Sequence, residues 1–165
     1  MQGNILYPLN TLKDAHPEVY TKAASKYEGR EQIMKLRIPS LDCLWNDVLH
    51  FSAVHPSEIK KALAEAGRVK PLGASYFEID PHLLDPKDTI VYLNRLDRMA
   101  DKFNKDNVAA YNPDEIAQYA IMPQETKDYY TDTISQGKEP LVFHVVPHIL
   151  FKGCLDTSKF NKISL

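Results

Sequence analysis

Short apolar runs, punctuated by proline and charged residues, alternate along the chain between helical and extended spacing. Val19, Ala23, Ala24 and Tyr27 share one helical stripe behind Pro17, a residue suited to the first helical position because no backbone N–H is needed there. A helix is therefore predicted over 17–36, with Gly29 as a point where it divides into two shorter ones and Pro39 as its limit. The short apolar run 48–52 predicts a strand. The clearest helical pattern is 56–66: His55 or Ser57 caps it, Ile59, Ala62, Leu63 and Ala66 line one face, and Gly67 stops it. Strands are predicted over 75–80, where Tyr76 and Phe77 favour a pleat, and over the β-branched run 89–93. Asn94 opens a predicted helix to Phe103, and Asn112-Pro113-Asp114-Glu115 is a strong helix start. A further helix is predicted over 124–136, closed by Gly137. The run 141–151 reads as a central strand to Val146, a turn or bulge at Pro147, and a second short strand.

Helices and strands do not alternate strictly in this order, which argues against a doubly wound parallel sheet. The predicted class is α+β: a mixed, mostly antiparallel sheet flanked by helices. The length, 165 residues, is that of one domain, and no repeat or linker divides it, so 1–165 is read as one unit. An apolar fraction of 44% supplies a core without metal or disulfide staples.

Charge and cysteine content narrow the function classes. A net charge of −2 builds no field for non-specific nucleic-acid binding. Cys43 and Cys154 stand far apart in no metal-ligand spacing, which fits reduced thiols and a cytoplasmic chain. The first residues carry no basic region followed by a long apolar run, and no stretch approaches the ~18 apolar residues of a membrane span.

Four groups of residues offer chemistry. His50 and Ser52 at a strand end share a face, because side chains alternate with period two, and together suit a ribose and an amide; the plainer alternative is a satisfied core histidine and a turn serine. Glu139, before an apolar run, suits a ribose hydroxyl or a developing cation, against a solvated loop acid. His144 and His148 are a helical metal spacing, but Pro147 opposes a helix and a straight strand sets the pair about 13 Å apart. Asp42 to Asp47 holds the single tryptophan and Cys43, whose service as a nucleophile requires a histidine; an aromatic plug at the sheet end is the simpler reading of Trp45. No glycine-rich phosphate loop or G-x-S-x-G elbow occurs.

Leu49-His50-Phe51-Ser52, followed by a helix and Gly67, resembles the strand–His-x-[Ser/Thr]–helix–Gly unit of ADP-ribosyltransferase-like proteins, among them the DNA-targeting toxins and the RNA 2′-phosphotransferases. The likeness covers 46–80 and 139–148. It implies NAD as substrate, His50 as the ribose-binding histidine, Tyr76 or Phe77 as the ring stacked on nicotinamide, and Glu139 as the catalytic acid. Gly137 stands where the family carries Glu or Gln two residues before that acid, and Pro140 follows it directly. Two other classes compete. Nine tyrosines and near-neutral charge suit a non-catalytic binding or immunity-type protein with a protein partner. A metal-dependent hydrolase would use His144 and His148.

Overall fold

The computed structural model of the chain describes residues 3–29, 31–70, 73, 75–93 and 103–164. In chain order its regular elements are Ile5–Leu6 (β1), Leu9–Ala15 (α1), Pro17–Ala24 (α2), Arg37–Ile38 (β2), Cys43–Leu44 (β3), Leu49–Phe51 (β4), Pro56–Glu65 (α3), Ser75–Glu78 (β5), Thr89–Tyr92 (β6), Val108–Ala110 (β7), Gln124–Ser135 (α4), His148–Phe151 (β8), Leu155–Asp156 (β9) and Asn161–Ser164 (β10). Short 3-10 turns join many of them, the longest being Pro113–Tyr119. The fold is α+β, and every strand pair among the described residues is antiparallel. The helix predicted from Asn94 lies largely outside the described residues.

The central sheet has the order β4-β8-β6-β7. Its register places His50 opposite Leu150 and Leu150 opposite Ile90, so these three share a face, as do His148 and Tyr92. That face packs on Ile38, Leu41, Cys43, Val48 and Phe103, with Trp45 at its rim. The opposite face carries Leu49, Val91, Ile149 and Phe151, and packs on Leu84 and Tyr111. Both faces are covered, which is why β6 reads as an apolar run instead of alternating. A third cluster joins α3 and α4 through Ile59, Leu63 and Tyr130.

The local signals around α3 and α4 are realised. His55 caps α3, its Nδ1 accepting from the Ser57 N–H at 3.2 Å. Gly67 (φ +94) and Gly137 (φ +71) end the two helices in the same way. The residue after each glycine bonds back five positions along the chain, Arg68 N–H to Leu63 O at 2.9 Å and Lys138 N–H to Thr133 O at 3.1 Å.

Three expectations need correction. The stretch 17–36 is not one helix: α2 ends at Ala24, and 3-10 turns on either side of Gly29 (φ +75) replace the rest. A helix, α1, precedes it where none was expected. Residues 141–146 form turns instead of a central strand, and the strand begins only after Pro147. Here Val145 sits in the left-handed region (φ +60) although it is β-branched. Tertiary bonds hold the turn: the Leu141 N–H donates to Tyr129 Oη at 3.0 Å, and the Tyr130 hydroxyl donates to Val142 O. Burial of Val146 anchors its end.

Candidate functional site

The sheet order makes β4 an edge strand, and a cavity of about 740 Å³ follows that edge. The unbroken run from His50 to Pro56 forms one wall, and residues 75–79, carrying β5, form the other. Trp45, Tyr111, Phe143 and His148 close the remaining sides. The volume is that of a site for a small molecule or nucleotide.

His50 reaches the cavity from β4. Its Nε2 lies 3.1 Å from the Trp45 carbonyl, which can only accept, so Nε2 carries the proton and Nδ1 is an acceptor. The Trp45 ring packs against it at a tilt, 4.7 Å between centroids, and the His148 ring stands 6.1 Å away, edge to face. His50 is exposed to the cavity yet ringed by cleft walls. Its pKa is held down at about 4, chiefly by loss of bulk water, with His148 acting in the same direction and the Trp45 carbonyl opposing both. Burial likewise pushes His148 down to about 4, against the carbonyls of Pro147 and Val146. Both rings are therefore neutral at pH 7.

Ser52 lies one residue beyond the end of β4, so the strand alternation expected to align it with His50 stops short. Its Oγ accepts from the Val54 N–H at 3.1 Å and starts the turn into α3, which leaves its O–H able to donate. Tyr76 and Phe77 stand across the cleft on β5, which pairs with β10. Burial raises the Tyr76 phenol, with Arg68 acting in the opposite direction.

Glu139 does not line this cavity. It follows the glycine that ends α4, and the residues following the end of α3 capture it. Lys70 Nζ lies 2.9 Å from its Oε1 and Arg68 Nε 3.3 Å from its Oε2. The Lys70 hydrogen bond is the main cause that holds its carboxyl below the usual range, and burial opposes it. The side chain is 55% exposed. The structure thus brings together His50, Ser52, Tyr76 and Phe77 and leaves Glu139 apart.

His144 and His148 do not converge either. His144 packs on Tyr129 at 4.1 Å between ring centroids, while His148 faces Trp45 and His50. No group of three His, Cys, Asp or Glu among the described residues is placed to hold a metal ion. Cys43 is buried, and burial, with Asp47 adding to it, raises its thiol, which is the wrong direction for a nucleophile. Trp45 is the aromatic plug expected of it, packing also on Tyr92 at 5.8 Å between centroids.

The sequence reading did not place His148, Phe143, Tyr111 or Glu78 in the site. Only one of these carried a local signal: Glu78 stands two residues after Tyr76 on a predicted strand, hence on the same face. No family model, curated protein or solved structure matches this chain. Among the described residues no helix is long and apolar enough to cross a membrane.

Proposed function

We propose that the cleft binds NAD and that the chain is an ADP-ribosyltransferase-like enzyme or NAD glycohydrolase. One observation carries the reading: His50, Ser52, Tyr76 and Phe77, from two separate segments, line a single cavity of about 740 Å³. A neutral His50 with Nδ1 as acceptor suits a ribose hydroxyl, and the Ser52 hydroxyl suits a second polar group. An aromatic wall holds a flat nicotinamide and excludes water from the bond that breaks. The chemistry is dissociation of the nicotinamide–ribose bond through an oxocarbenium-like cation, which a carboxylate stabilises.

A second reading is nucleotide binding without turnover. The distance of Glu139 from the cleft and its capture by Lys70 and Arg68 favour it.

The chain has one tryptophan, and it stands against His50 in the cavity, so its fluorescence reports occupancy directly. Titration with NAD is expected to perturb that emission saturably. His50→Ala is expected to weaken binding about tenfold, the loss of one net hydrogen bond. Release of nicotinamide, followed by chromatography, separates the enzyme from the non-catalytic binder. An emission unchanged at millimolar NAD rejects both readings.

A further inference from the structure

We infer that Glu78, not Glu139, is the carboxylate that acts on the reacting ribose carbon, and that Tyr76 is the ring stacked on nicotinamide. This rests on the NAD reading above and deepens it.

Among the described residues, Glu78 is the only acidic one lining the cavity. The register of β5 and β10 shows which residues of this two-stranded sheet share a face. Tyr76 pairs with Ile163, Phe77 with Lys162 and Glu78 with Asn161. Directly opposed residues of an antiparallel pair share a face, and residues two apart on one strand do too. Ile163 lines the cavity, whereas Lys162 does not. Tyr76, Glu78 and Ile163 thus share one face and line the cavity together, and Ser75, Phe77 and Ile79 reach it from the other parity.

On that face the two groups stand one strand repeat apart, about 6.6 Å between Cα atoms. A nicotinamide stacked on Tyr76 then carries its ribose carbon along the strand towards the carboxylate. Asn161 Nδ2 lies 3.4 Å from Glu78 Oε2 and holds the group from the neighbouring strand. Glu139, in contrast, spends both oxygens on Lys70 and Arg68 outside the cleft.

The step balances with water as acceptor. The C1′–N bond breaks and its electron pair leaves with nicotinamide, which becomes neutral. The Glu78 carboxylate stabilises the cation left at C1′. Water adds at C1′ and releases a proton, giving ADP-ribose, nicotinamide and H⁺.

The test compares Glu78→Gln and Glu139→Gln in the full chain, with Trp45 fluorescence reading NAD binding and chromatography reading nicotinamide release. Gln keeps the shape of Glu78 and an oxygen for Asn161, and near-ultraviolet circular dichroism checks that the fold is intact. Glu78→Gln is expected to bind NAD within about threefold of the parent and to lose turnover by about 100-fold or more, the scale of removing one transition-state electrostatic group. Glu139→Gln is expected to keep turnover within a few-fold. Tyr76→Ala is expected to weaken NAD binding more than Phe77→Ala. Unchanged turnover in Glu78→Gln, or loss in Glu139→Gln alone, overturns the inference while leaving the NAD reading in place. A parent chain that binds no NAD overturns that reading, and the inference with it.

Discussion

At the residue scale, His50 and His148 decide how the site responds to pH. Each is held at about 4, below the ordinary 6.5 of an exposed imidazole. Between those values the unfolded chain binds protons that the folded chain refuses, so stability rises with pH in that window and is lost as pH falls through it. His144, lowered by burial, acts with the same sign. His82 acts oppositely: bonds to Asp114 and Asp80 raise it, so its contribution is present at low pH and fades as pH rises through its folded value. It lies at the surface, where such pairs contribute little. The urea midpoint is therefore expected to be lower at pH 5 than at pH 7.5, and replacing both His50 and His148 with Asn is expected to shrink that difference. An unchanged difference would place the two rings in bulk-like solvent. The tautomer of His50 was beyond sequence reasoning, because the carbonyl that sets it belongs to a residue five positions away and reaches it only through the turn before β4.

At the element scale, the helix ends were the most legible features and the loop after Gly137 the least. Gly67 and Gly137 announce their positive φ because few other residues take it at low cost. A Cβ added at Gly67 would meet only Ile134 Cγ2, at 3.9 Å, an ordinary contact. The cost of Gly67→Ala is thus conformational and is expected to be about 1–2 kcal/mol in urea unfolding. A loss much above that would point to a steric role instead. Residues 141–146 misled because they are apolar and β-branched, the composition of a strand. The backbone of Leu141 and Val142 bonds to the hydroxyls of Tyr129 and Tyr130 on α4, and no periodicity within the segment reveals side-chain bonds from another element.

At the scale of the molecule, the four-stranded sheet carries the site on its edge and the core in its middle. Leu150 and Val91, on the two central strands, are 0% exposed and point to opposite faces. Leu150→Ala removes side-chain volume where packing on both neighbouring strands limits collapse. The expected loss is about 2–5 kcal/mol, read by urea unfolding. A cost below 1 kcal/mol would mean that the face carrying His50 repacks easily. Rigid support of this kind matters for the cleft, since Trp45 packs on His50, Tyr92 and Phe103 together and so transmits the position of the sheet to its edge.

The sequence by itself determined the α+β class, the capped and glycine-ended helices, the strand of His50 and the aromatic pair on β5. These are local matters of periodicity, capping and backbone freedom, written in neighbouring residues. Only the tertiary structure decided which of them meet. It set β8 beside β4, so that His148 faces His50. It folded the end of α4 against the end of α3, so that Glu139 pairs with Lys70 and Arg68 away from the cleft. It paired β5 with β10, so that Glu78 stands at the cavity with Tyr76. Each depends on contacts between residues tens of positions apart, and no spacing along the chain records which charges and edges will be neighbours once the core has closed.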